Sequence, residues 1–280
     1  MDRYRRRLCL GAALALSGLR PAFAAADPIV RLGLMPVYGI RALMQRYEPM
    51  RGYLSSLLGQ AVRVETAPDF PRYLNSILAG EFDIAVAAAH LARIAQQDAG
   101  WTPLAQFEPD NDTLLITRAG EAPKRPADLA GREVAVIDRL AITVMGALHY
   151  LERQGLKADR DYRVVEYRNH ASVVHSLLAG RSALAVTTSH GLYQLPSEQL
   201  ERITVYRRVS DIPAFVVIAA PDHSQAKLER LRSGLMAFPG TAEGRAFLDL
   251  NSYTGMHAAD EAAMRRADPF LRETRRMVGQ

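Results

Sequence analysis

The chain has 280 residues, a formal net charge of +5 and one cysteine, Cys9, so it can bury a large core and build two domains. Residues 1–25 carry five Arg and one Asp, which leaves 30 basic and 29 acidic residues and no cysteine beyond them. The missing cysteine excludes disulfides, thiol nucleophiles and thiolate metal sites there, and the near-neutral charge gives no case for nucleic-acid binding.

The first segment reads as an export signal. Arg3, Arg5, Arg6 and Arg7 precede an apolar run from Leu8 to Leu19, then Pro21 and Ala22-Phe23-Ala24. Charged region, apolar region and small-residue cleavage site occur in that order. Cleavage is expected between Ala24 and Ala26, with 1–25 removed and the periplasm as destination. The Arg5-Arg6 pair leaves general and twin-arginine export both open. The apolar run is too short to span a bilayer, and no later segment approaches 18 apolar residues.

Pro28 to Met35 is a first predicted strand. Apolar positions from Ile40 to Leu58 have helical spacing, with a kink or break expected at Pro49 and a stop at Gly59. A strand at 62–66, a helix at 71–79 and a strand at 83–87 follow, then a helix from Leu91 to Gln97 and a short strand from Pro103 to Phe107. Thr113 to Thr117 is a further strand, and Pro123 to Gly131 a linker with a helical turn. A second series then runs strand Glu133–Ile137, helix Thr143–Gln154, strand Tyr162–Tyr167, helix Ser172–Leu178 and strand Ala183–Thr187. A short helix from Gly191, a strand Ile203–Arg208 and a buried strand Pro213–Ala219 complete the pattern. After 219 only helices are expected, near 224–238, 241–249 and 258–266.

The two series contain a repeat. Ser76 to His90 reads SILAGEFDIAVAAAH, and Ser176 to His190 reads SLLAGRSALAVTTSH. Each copy is a helix end, an Ala-Gly turn suited to a left-handed C′ residue, and a buried strand. Two similar units imply two similar α/β lobes. The expected division is 26–116 for the first lobe and 117–212 for the second. Residues 213–280 return to the first lobe, and the crossings lie near 113–118 and 209–215. Ligands of open α/β sheets bind beyond the carboxyl ends of the strands, which here is a cleft between the lobes.

Candidate ligand contacts follow from that placement. His90, His170 and His190 each come just after a strand, as neutral donors or as cations toward an anion. Tyr38 follows the first strand, and Phe70 occupies the place equivalent to His170. Asp138 and Arg139 follow the first strand of the second lobe. Thr143, Thr187, Thr188 and Ser189 offer hydroxyls to oxyanions or to helix starts. His149 and His175 sit inside helices and read as packing or surface residues; Asp69 reads as a helix cap. The arginines at 265–266 and 275–276 read as a solvated helical face. The three cleft histidines share no local spacing, so neither a metal nor a cofactor is expected.

The chain resembles the substrate-binding proteins of ABC importers, in the phosphate/phosphite/phosphonate branch of the type II periplasmic binding proteins. Leu32-Gly33-Leu34-Met35-Pro36, Tyr47-Glu48-Pro49-Met50 and Tyr53-Leu54-Ser55-Ser56-Leu57-Leu58-Gly59 carry this resemblance. So do Asp83-Ile84-Ala85 and the run from Ala127 to Ala135. The likeness extends from about 29 to 220. It implies an α/β fold of two lobes, each a sheet flanked by helices, joined by a two-strand hinge. It also implies a binding protein and not an enzyme. Such a protein captures a small anionic, phosphonate-like solute and delivers it to an inner-membrane ABC permease; a monomer is expected. The alternative is a sensor that presents its ligand to a kinase or chemoreceptor. Enzymes of this fold that depend on cysteine do not fit a mature chain without one.

The family's Ser-Thr-Ser cluster at a helix start falls on Ala141-Ile142-Thr143, and its histidine on His170. Its aromatic after the Asp-led strand falls among Ala87-Ala88-Ala89. In the second copy the same place holds Thr187-Thr188-Ser189. A polar ligand head is therefore expected on the second lobe, with a group larger than methyl against the alanines.

Overall fold

Each copy of the repeat closes a parallel β-α-β unit, and the two units build two sheets. The computed structural model describes residues 29–193 and 195–279, with the backbone alone for 210 and 211. The expected export segment and its cleavage site lie outside the described residues. The first unit is β1 (Val30–Leu34), α1 (Ile40–Leu58), β2 (Val62–Thr66), α2 (Phe70–Leu78) and β3 (Ile84–Ala87). β1 lies between β2 and β3, parallel to both, with Leu32 opposite Val64 and Ile84. α3 (Ala89–Ala99) and β4 (Thr102–Glu108) follow, and the chain then crosses to the second sheet.

There it forms β5 (Asn111–Arg118), β6 (Glu133–Val136), α4 (Ile142–Arg153), β7 (Arg163–Glu166), α5 (His170–Leu178) and β8 (Leu184–Thr187). Two short helices, α6 (Ser189–Leu192) and α7 (Ser197–Leu200), lead to β9 (Ile203–Ile212). The chain crosses back into β10 (Val216–Ala219), α8 (Gln225–Ala237), α9 (Ala242–Asn251), β11 (Gly255–Ala258), α10 (Glu261–Arg265) and α11 (Asp268–Met277). The sheet orders are β11-β4-β10-β3-β1-β2 and β7-β6-β8-β5-β9.

The repeat is visible in backbone detail. Asp69 caps α2 through the amide of Arg72, and Asn169 caps α5 through the amide of Ser172. Gly80 and Gly180 end the two helices at φ of 70° and 75°. There a side chain would be strained, so glycine is the fitting residue.

Four expectations are corrected. The break offered at Pro49 does not occur: α1 continues through it, with Leu43, Tyr47, Met50 and Leu54 burying one stripe. Burying four such side chains is worth about 1.5–3 kcal/mol each, against about 3 kcal/mol for an interior proline. β5 was assigned to the first lobe up to 116, but Leu114 pairs with Thr187 of β8 and with Arg208 of β9. The crossings are therefore 109–110 and 213–215, held side by side where the Asn111 amide donates to the Pro213 carbonyl at 3.2 Å. A strand does follow 219: β11 pairs antiparallel with β4, Met256 opposite Phe107. Gly-Met-His-Ala has no strand pattern of its own, and the free edge of β4 imposes the conformation. The arginines at 266 and 275 are not simply solvated; they pair with Asp110 and Asp98 at 2.7 and 2.8 Å.

α11 ties the two lobes together. Toward the first lobe, Asp268 accepts from Arg93 of α3 at 2.9 Å, and Arg275 meets Asp98 at the end of α3. Toward the second, Phe270 stacks on His149 of α4 with centroids 5.5 Å apart, and His149 Nε2 lies 2.8 Å from Glu273. A buried apolar cluster runs from Phe70 and Tyr73 through Ala88 and Leu140 to Val144 and Met145, so both lobes share it.

The hydrogen bond from His149 holds the Glu273 carboxyl below its ordinary value. A carboxylate depressed by folding adds stability above its unfolded pKa, and that share is lost as pH falls through the folded pKa. Glu273→Gln is expected to cost about 0.5–1 kcal/mol near neutral pH and to lessen the loss of stability below pH 5. Urea unfolding across pH 3–7 measures this; an unchanged acid slope would contradict it.

Candidate functional site

In both sheets the parallel strands end, and the following helices begin, on the side facing the other lobe. Residues between β1 and α1, β2 and α2, and β3 and α3 therefore meet residues between β6 and α4, β7 and α5, and β8 and α6. Between them lies a cavity of about 640 Å³, counted with its solvent-open mouth. A second compartment of about 620 Å³ adjoins it and shares Val37, Phe70, Ile137 and His170 as walls.

Of the residues expected at the site, Tyr38, Phe70, Thr143, His170, Thr188 and His190 line the main cavity. Asp138 lines the second compartment, together with Phe70 and His170. Four others lie off the cavity walls. His90 is fully buried, and its Nε2 reaches the Leu140 carbonyl at 2.9 Å, across the lobe boundary. Arg139 turns its guanidinium to Asp159 at 2.6 Å, and Glu166 takes its backbone amide. Thr187 is buried with its hydroxyl 3.0 Å from His170 Nδ1. Ser189 gives its hydroxyl to Asp112 at 2.5 Å, and Arg208 joins the same carboxylate. In each case a protein partner within reach engages the side chain, although among the described residues Nδ1 of the buried His90 has no hydrogen-bond partner. Of the three alanines after β3, Ala88 faces the cavity, while Ala87 and Ala89 are in the core.

Sequence reasoning missed Asn111, Phe215 and Tyr253, all on the main cavity wall. Asn111 follows the outgoing crossing, which lies several residues before the expected 113–118, and Phe215 lies in the return crossing, within the expected 209–215. Tyr253 follows α9 and stacks on Phe107 at 4.6 Å, a placement that needs the unforeseen strand β11. No local pattern announces it.

His170 presents a neutral wall to the main cavity. Desolvation, reinforced by His190, pushes His170 down to about 4, so its imidazole is uncharged at neutral pH. His190 Nε2 lies 3.1 Å from the Ser252 carbonyl, which carries the second lobe onto the first. Burial raises the Tyr38 and Tyr253 phenols above their ordinary value, so both remain donors. The second compartment differs. It holds Asp69, Asp138, Glu166 and Arg168, and burial followed by the charges of Glu166 and Asp69 pushes Asp138 upward.

Helix starts supply the remaining polarity. α3 and α4 begin at Ala88 and Ala141, neither with a side-chain cap. The first internal bond of α4 runs from the Met145 amide to the Ala141 carbonyl, so the amides of Ile142, Thr143 and Val144 precede the ladder. Thr143 is 9% exposed and lines the cavity. Its carbonyl is fixed by the Thr113 hydroxyl of β5 at 3.0 Å. This is a donor set for an oxyanion, aided by the helix dipole. Gly191 closes the floor: a Cβ there would stand 2.6 Å from Thr187 Oγ1 and 2.8 Å from His170 Cγ. Among the described residues no three His, Cys, Asp or Glu side chains gather as a metal site.

The sequence from 32 to 264 matches the family described as ABC transporter, phosphonate, periplasmic substrate-binding protein. The chain belongs to this family. It is accordingly a binding component of an ABC transporter, in a family that acts in the periplasm and passes small ligands to a permease. Solved structures agree on the fold. A binding component of an ABC phosphonate transporter from Pseudomonas aeruginosa superposes with a TM-score of 0.76 at 17% identity, covering 90% of this chain and 89% of that one. A Prochlorococcus marinus protein in complex with methylphosphonate gives 0.75 at 10% identity, over 90% and 98%. The periplasmic aliphatic sulphonate binding protein of Escherichia coli gives 0.62 at 15% identity, over 90% and 94%. The two-lobed type II fold is thus established.

The buried His90 imidazole is depressed to about 4 by desolvation. A histidine held neutral by folding binds fewer protons than the unfolded chain, so stability rises with pH between about 4 and 6.5. His90→Gln, which can still donate to the Leu140 carbonyl, is expected to lose less stability on acidification than the parent. Thermal melts at pH 4.5 and 7.5 compare the two; equal losses would contradict this account.

Proposed function

We propose that this binding protein captures a phosphonate-type oxyanion in the interlobe cavity, with the anionic head at the start of α4. The observation that carries the reading is the first turn of α4, without a side-chain cap, opening onto the cavity where Thr143 lines the wall. Three backbone amides and one hydroxyl can donate there. Asn111, Thr188 and the neutral His170 stand on the same side of the cavity. The methylphosphonate complex and the sulphonate-binding protein among the structural relatives suit a tetrahedral head.

In this reading the two lobes close about the crossings at 109–110 and 213–215. The ligand then joins contacts of both lobes, and its differential affinity for the closed form drives the change. No bond is made or broken in the ligand. The protein presents it, and a permease takes it.

Thr143→Val removes one donor and leaves the volume nearly unchanged. A hydrogen bond to a charged group is worth about 1.5–3 kcal/mol, so methylphosphonate affinity is expected to fall roughly 10- to 150-fold. Titration calorimetry on the two proteins, with melting temperatures as a control on folding, reads the difference. Equal affinities would place the head elsewhere.

A further inference from the structure

The main cavity is chemically divided between the lobes. The first lobe and the return crossing contribute Met35, Val37, Phe70, Ala88 and Phe215, with the Tyr38 and Tyr253 phenols as the polar groups on that side. The second lobe contributes the greater polar share, Asn111, Thr143, His170, Thr188 and His190, alongside the apolar Ile137, Ala141 and Ile142. Among the described residues no Lys or Arg lines this cavity. Arg168 stands on the adjoining compartment, and Arg46 lies over the outer face of the Tyr38 ring at 4.7 Å.

That division has energetic consequences. An oxyanion that enters the cavity gives up its hydration and meets chiefly partial charges, from amides, hydroxyls and phenols. A compact ion such as phosphate or phosphite has only those contacts. It would also leave the apolar wall of the first lobe facing trapped water. A ligand with an apolar body covers that wall when the lobes close, and each buried methylene adds about 0.8 kcal/mol. The sulfur and rings of Met35, Phe70 and Phe215 suit flat or branched hydrocarbon. Ala88 leaves room at the start of α3 where a larger side chain would fill the space.

We infer that the site selects amphiphilic phosphonates, those bearing an aryl group or an alkyl chain of three or more carbons, over methylphosphonate and inorganic phosphate. The inference rests on the anion reading of the α4 turn and adds the identity of the substituent. In the bound state the head faces the second lobe, and the hydrocarbon lies between Val37, Phe70 and Phe215.

The test is a calorimetric series with phosphate and with methyl-, propyl-, butyl- and phenylphosphonate, on the parent protein and on Val37→Ser. Affinity is expected to rise roughly fourfold per added methylene, with phenylphosphonate at least as tight as butyl and phosphate weakest. Val37→Ser is expected to weaken butyl- and phenylphosphonate several-fold more than it weakens methylphosphonate. Binding that is flat or falls with chain length overturns the inference and leaves the anion site standing. Equal weakening of every member by Val37→Ser also overturns it, because the substituent would then not lie on that wall. Absence of binding across the whole series overturns the anion reading and the inference with it.

Discussion

The structure depends on one geometric constraint: in a parallel β-α-β unit, every strand ends and every following helix begins on the same edge. Each lobe has such an edge, and the crossings at 109–110 and 213–215 set the two edges against one another. Unsatisfied helix amides, strand-end side chains and short turns all collect in the gap. The binding cavity is thus a product of chain topology before it is a product of any particular side chain. Side chains then decide what enters. Alanines at the starts of α3 and α4 leave those amides without a side-chain cap, whereas Asp69 and Asn169 accept from theirs at α2 and α5.

The same topology explains how the lobes are fastened. His90 begins α3 in the first lobe and reaches the Leu140 carbonyl just before α4 in the second. At the far end of the same two helices, α11 lies across both through Arg93, Asp98, His149 and Glu273. The helices that present their starts to the cavity are therefore tied at both ends. A change in the angle between the lobes must move these contacts together, which couples the cavity to a surface remote from it.

Much of this was legible in the sequence. The repeat at 76–90 and 176–190 specified two lobes and the place of the cleft, because apolar runs, Ala-Gly turns and strand-end histidines are local signals. The histidines also show where such signals stop. His170 and His190 reach the cleft, but His90, at the same position in the repeat as His190, turns to a carbonyl of the other lobe. Arg139 and Ser189 similarly find carboxylates, Asp159 and Asp112, that no local pattern connects to them. β11 was invisible because the edge of β4 creates it, and Tyr253 was missed for the same reason. Phe215 and Asn111 fell within a hinge whose register shifts with a few residues.

The central claim is that the first turn of α4 holds the head of the ligand. Amide spectra of the ¹⁵N-labelled protein, titrated with methylphosphonate, test it directly. An oxyanion accepting from backbone amides moves their proton resonances downfield, and the largest such shifts are expected at Ile142, Thr143 and Val144. If those three amides stay in place while residues of the second compartment, such as Asp138 and Arg168, show the largest shifts, the account is contradicted.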